Sequence, residues 1–99
     1  MNGAAGHALD RLWAVISSRR GADPAVSYTA RLLAAGRNKT AQKVGEEAVE
    51  TVLAEPGSDH LVSEVADLWF HSMVLLAGDG RDPLAPLAEL GRRRRDPAV

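Results

Sequence analysis

Apolar residues recur at helical spacing almost from the start of the chain. Leu9, Leu12, Trp13 and Ile16 fall at i, i+3, i+4 and i+7, the stripe that an amphipathic helix buries, and predict a first helix from about His7 to Arg19. Gly21-Ala22-Asp23-Pro24 interrupts the pattern. Ser27 is placed to cap a short second helix through Leu32 and Leu33, and Gly36 to end it. Asn38 can cap a third helix, which Pro56-Gly57 stops at about Glu55. Ser58 or Asp59 then caps a fourth, reaching Ala77, with Leu61, Val65, Leu68, Trp69, Ser72 and Leu76 on one face and Gly78 beyond. Asp82-Pro83 opens a short fifth helix carrying Leu84, Leu87 and Leu90. No alternating strand pattern competes, so the expected fold is all-α, a small antiparallel bundle of four to five helices.

The 99 residues suffice for one domain with a modest core, which dimerisation would enlarge by covering more apolar surface. Residues 1–91 are expected to form that single domain and residues 92–99 a basic, disordered C-terminal tail. The formal net charge of −1 conceals this asymmetry, because Arg92 to Arg95 supply four of the twelve lysines and arginines. The remaining body is acidic, which argues against a nucleic-acid partner, since such proteins carry a basic stripe on a folded face. Cysteine is absent, so disulfides, thiolate zinc sites and a cysteine nucleophile are excluded. Asp10 and Arg11 interrupt the first apolar pattern, against a signal peptide. The longest strongly apolar run, Met73 to Ala77, falls well short of the roughly 20 residues that cross a bilayer. The expected setting is cytoplasmic, with no membrane partner.

Chemistry concentrates on the third and fourth predicted helices. At about 100° per residue, Lys39, Lys43, Glu46, Glu47 and Glu50 share an arc of roughly 100°, opposite Val44, Ala48, Val49, Val52 and Leu53. On the fourth helix His60, Glu64, Asp67 and His71 form a narrower stripe on an otherwise apolar element. Two helices joined by so short a connection pack antiparallel, which lets the two acidic stripes converge. Carboxylates so gathered repel unless a cation is shared among them, and oxygen-only ligands suit magnesium or manganese. Spacing alone leaves two readings open, a solvated charged face or a divalent-metal site. His71 fits best as a donor to Asp67 or Glu64, and His60, at the helix start, as incidental. Gly45, just before the acidic pair, suits close approach by a helix or ligand, since glycine in mid-helix costs about 1 kcal/mol relative to alanine. No glycine-rich phosphate loop is present.

The segment Lys43-Val44-Gly45-Glu46-Glu47-Ala48-Val49-Glu50-Thr51-Val52, followed by Glu64-Val65-Ala66-Asp67-Leu68-Trp69-Phe70-His71, resembles the phosphoribosyl-ATP pyrophosphohydrolases. These are all-α, MazG-like nucleotide pyrophosphohydrolases. Ser27-Tyr28-Thr29-Ala30-Arg31-Leu32-Leu33 and Gly36-Arg37-Asn38-Lys39 are similar to the same family, and the likeness spans roughly Leu9 to Leu90. Trp69-Phe70 departs from it, replacing the aliphatic residue and tyrosine more usual before the histidine. The resemblance implies a homodimer that hydrolyses the α,β-phosphoanhydride of phosphoribosyl-ATP, giving phosphoribosyl-AMP and pyrophosphate in the second step of histidine biosynthesis. It also implies magnesium held by Glu47, Glu50, Glu64 and Asp67, with Glu46 or Glu47 orienting water. Lys39, Lys43, Arg31 and Arg37 would then hold phosphate oxygens. A MazG-type pyrophosphatase acting on another (deoxy)nucleoside triphosphate and a non-catalytic helical dimerisation module are the competing readings.

Overall fold

A computed structural model of the chain describes residues 3–94, with side chains from Ala8 onward. Five helices follow one another: α1 (Gly3–Ser18), α2 (Tyr28–Ala35), α3 (Arg37–Leu53), α4 (Asp59–Gly78) and α5 (Ala85–Arg93). Among the described residues there is no strand, and the expected all-α class holds.

The helix ends follow local chemistry, with two departures. Ser27 caps α2 by accepting from the Ala30 amide at 3.1 Å, and Ser58 caps α4 by accepting from the Leu61 amide at 3.0 Å. Asn38 does not cap α3. Gly36 alone separates α2 from α3, with φ of +96°, so α3 starts at Arg37 before Asn38 can act. A side chain is strained at that φ, which is why the link is glycine. The Asp82 carboxylate accepts from the Leu84 amide at 2.8 Å and shapes a turn, so α5 opens at Ala85, later than Asp82-Pro83 predicts.

Helix α4 is the axis of the molecule. Met73, Val74 and Ala77 on it meet Ile16 of α1 and Leu32 of α2, with Leu12, Leu33, Phe70 and Leu84 packed around them. The Arg20 guanidinium donates to the Ala77 carbonyl and ties the chain after α1 to the end of α4. Helix α3 packs mainly on α4, yet its buried residue is Thr40, while Val49, Val52 and Leu53 face outward. Of the acidic stripe, Glu47 is turned toward α4, while Glu46 and Glu50 are exposed like Val49, Val52 and Leu53. Gly45 is exposed, and nothing approaches within 4 Å of where its Cβ would stand, so no close approach explains it within one chain.

By length and mean hydropathy α4 could cross a bilayer, which counting uninterrupted apolar residues does not reveal. It is nevertheless the core helix, and it buries Glu64 and His71 along with its apolar residues.

Helix α5 continues through Arg92 and Arg93, past the expected domain boundary at residue 91, and Arg95 onward lies outside the described residues. Both arginines fold back on Glu89, with Arg92 Nε to Oε2 and Arg93 Nε to Oε1 each at 3.0 Å. The hydrogen bond from Arg92, then that from Arg93, lowers the Glu89 pKa to about 2 from an ordinary 4.5. A carboxylate with a depressed folded-state pKa stabilises the fold above its unfolded value and loses that contribution as pH falls through the folded one. The contribution of Glu89 is therefore expected to be intact above pH 4.5 and to fade toward pH 2. Urea unfolding of wild type and Glu89→Gln across that range checks this: the gap should close on acidification, and a constant gap would contradict it.

Candidate functional site

The α3–α4 pair brings the predicted acids together. Glu47 on α3 and Glu64 and Asp67 on α4 each offer a carboxylate oxygen, and these lie within 4.8 Å of one another. The i, i+3 spacing of Glu64 and Asp67 places both on the α4 face that meets α3. Glu64 is buried and Glu47 half-buried. Each keeps one buried oxygen, Glu47 Oε2 and Glu64 Oε2, with no hydrogen-bond partner. A buried carboxylate oxygen without a donor costs free energy, and two such oxygens beside a third carboxylate compound the cost by repulsion. The donor set, all hard oxygens, fits a divalent cation of the magnesium or manganese type.

Surrounding groups touch the same three residues, at the backbone of Glu47 and Asp67 and near the carboxylates of Glu47 and Glu64. Thr51 Oγ1 donates to the Glu47 carbonyl at 2.7 Å, and His60 Nε2 lies 3.5 Å from Glu64 Oε1. His60, exposed near the start of α4, is the neighbour of the buried acid one turn along. His71 is buried, with Nδ1 3.0 Å from the Asp67 carbonyl and 3.9 Å from Glu47 Oε1. Its Nε2 is 2.7 Å from the Tyr28 hydroxyl. Tyr28 is the neighbour that spacing did not single out, since it lies on another helix; His60 already stood in the α4 stripe.

The remaining predicted residues lie outside this cluster. Glu50, one turn beyond Glu47, is exposed and not among the three clustered acids. Glu46 is exposed too. Gln42 donates to its Oε1 at 2.9 Å and Lys43 stands 3.5 Å from its Oε2. The Gln42 hydrogen bond, then the charge of Lys43 and more weakly that of Lys39, holds Glu46 below the usual carboxylate range. Lys39, Lys43 and Glu46 therefore form one solvent-facing strip beside the buried acids. Arg31 donates to the Pro24 carbonyl at 3.2 Å and sits 5.7 Å from the centre of the Tyr28 ring. Arg37 pairs with Asp79 at 3.2 Å; ten residues before Glu47, it is roughly 15 Å farther along the α3 axis.

The family profile described as phosphoribosyl-ATP pyrophosphohydrolase matches residues 9–94, which include all five helical segments in whole or part. The chain belongs to the phosphoribosyl-ATP pyrophosphohydrolase family. Proteins named phosphoribosyl-ATP pyrophosphatase from Paramagnetospirillum magneticum and Parvibaculum lavamentivorans are each 55% identical over 87 residues, covering 86% of this chain and 80% of theirs. One from Azospirillum brasilense is 52% identical over 87 residues, covering 86% of this chain and 78% of its own. The matched span contains both acidic motifs, Glu46-Glu47-x-x-Glu50 on α3 and Glu64-x-x-Asp67 on α4.

Proposed function

We propose that the chain hydrolyses phosphoribosyl-ATP between its α and β phosphorus atoms, releasing phosphoribosyl-AMP and pyrophosphate, as the second step of histidine biosynthesis in the cytoplasm. Its membership in the family names the substrate. The observation that carries the chemistry is the pair of buried carboxylate oxygens without donors, Glu47 Oε2 and Glu64 Oε2, facing Asp67.

Glu47, Glu64 and Asp67 would hold magnesium, or manganese in its place, with Glu50 as the outermost ligand at i+3 from Glu47. A bound divalent ion neutralises polyphosphate charge, polarises the attacked phosphorus and makes water a better nucleophile. The side chains divide the rest of the work. Lys43 and Lys39, one turn apart on α3, take phosphate oxygens, with Arg31 and the more distant Arg37 serving groups farther from the cleavage point. Glu46, kept ionised by Gln42 and Lys43, is placed with Glu47 to orient the water whose oxygen replaces the bridging oxygen on phosphorus. His71 supports Glu47 and Asp67 from behind.

A homodimer is the proposed working form. The radius of gyration of 14.7 Å exceeds the about 13 Å of a compact chain of this length, and Val52 and Leu53 are 82% and 77% exposed on α3. Trp69 on α4 is 61% exposed. Faces of this kind are what a second copy would cover.

The test is pyrophosphate release from phosphoribosyl-ATP and from a panel of deoxynucleoside triphosphates, with magnesium and with chelator. Turnover of phosphoribosyl-ATP alone, dependent on the metal, is expected. Preference for another triphosphate would move the chain to a house-cleaning pyrophosphatase, and no turnover of either, with no metal-dependent heat, would leave a helical dimerisation module.

A further inference from the structure

Tyr28 stands at the first turn of α2, outside both acidic motifs, and it is the single tyrosine of the chain. Its hydroxyl lies 2.7 Å from His71 Nε2, across 43 positions of sequence. The other ring nitrogen, Nδ1, is 3.0 Å from the Asp67 carbonyl, which can only accept. Nδ1 therefore carries the proton, and in the neutral imidazole Nε2 keeps its lone pair and accepts from Tyr28. The same Nδ1 is 3.9 Å from Glu47 Oε1, an ion-pair rather than a hydrogen-bond distance. In the opposite tautomer a lone pair on Nδ1 would face the carbonyl of one acidic residue and the carboxylate of another, both of them acceptors.

We propose that Tyr28 is a positioning residue for the carboxylate centre, acting through His71. By donating to Nε2 it fixes the proton on Nδ1, where it joins the Asp67 backbone of α4 and faces the Glu47 carboxylate of α3. Packing restrains the ring as well. Phe70 meets the imidazole edge-on, with centroids 5.2 Å apart, and Tyr28 meets it at 87°. Two helices, α2 and α4, thus set one imidazole, and the imidazole stands against Oε1 of the Glu47 carboxylate on α3, whose other oxygen has no donor. The inference rests on the proposed use of these acids for a divalent cation.

The experiment is calorimetric titration of the metal-free protein with manganese, in wild type, Tyr28→Phe, His71→Asn and the double variant. Partners behind metal ligands typically contribute roughly 10- to 100-fold in affinity. Tyr28→Phe should weaken manganese binding by about that factor while circular dichroism stays helical, and the double variant should bind no more weakly than His71→Asn alone. Losses that simply add, or wild-type affinity in Tyr28→Phe, would overturn the inference and leave the metal reading intact. No binding in wild type would remove both. Nitrogen-15 spectra of wild-type histidines supply a readout that needs no variant: His71 is expected with its proton on Nδ1, and a proton on Nε2 alone would overturn the proposal.

Discussion

Glu64→Gln is expected to lower turnover at least a thousandfold while raising the melting temperature of the metal-free protein. The two effects have one cause. Glu64 is buried, and its Oε2 has no donor, so in the empty centre its charge is opposed by desolvation and by Glu47 and Asp67 nearby. Glutamine keeps the shape and removes the charge. With repulsion relieved, the metal-free fold should gain on the order of 1–2 kcal/mol, a few degrees for a domain of this size. Catalysis fails because a neutral amide is a far poorer ligand for a hard cation than a carboxylate. Glu47→Gln and Asp67→Asn should follow the same pattern, with a smaller gain in stability at the exposed Asp67. Steady-state turnover and thermal melts with and without magnesium decide the matter. Activity retained within tenfold in all three variants would refute the assignment, as would a metal-free melting point lower than wild type in each.

The second large effect concerns the outward valines. Val52→Asp should convert a dimer into a monomer of lower stability, and both changes should appear in sedimentation velocity and melting at micromolar concentration. Covering a valine or leucine side chain fully gains about 1.5–3 kcal/mol, and the symmetry of a dimer counts each twice. A carboxylate forced into such a contact costs several kcal/mol more unless it finds a partner. Val52 is the apolar side chain of α3 with the largest exposed fraction, 82%. Lys39→Ala, on the polar strip, serves as the comparison and should remain dimeric. A monomeric wild type at these concentrations, or an unchanged dimer in Val52→Asp, would remove this interface.

Much of the arrangement was legible from spacing, and the failures have identifiable reasons. The helices follow from apolar periodicity and from Ser27, Gly36, Ser58 and Pro56-Gly57, all of which act within a few residues of themselves. Asn38 and Asp82 were misplaced as caps because a cap is decided by backbone geometry one or two residues away: Gly36 begins α3 too early for Asn38, and Asp82 is consumed in a turn. The arginine run was separated from the domain at Arg92, whereas Glu89, three and four residues earlier, draws Arg92 and Arg93 into the last turn of α5. Glu50 shares the motif of Glu47 but not its surroundings. Periodicity assigns a face to a residue, and only packing says how deep in that face it lies.

Sequence by itself determined the five helices, the acidic stripes and the family, since each is written in short-range spacing or in residue identity along a continuous segment. Tertiary structure decided how α3 is rotated against α4: it brings Glu47 to Glu64 and Asp67 while Glu46, Glu50, Val52 and Leu53 stay exposed. It also decided that Tyr28 meets His71, a contact across 43 residues that no local pattern encodes. Such a pairing exists only once α2 and α4 have packed, because hydrogen bonds of about 3 Å demand a placement that periodicity along one helix cannot specify.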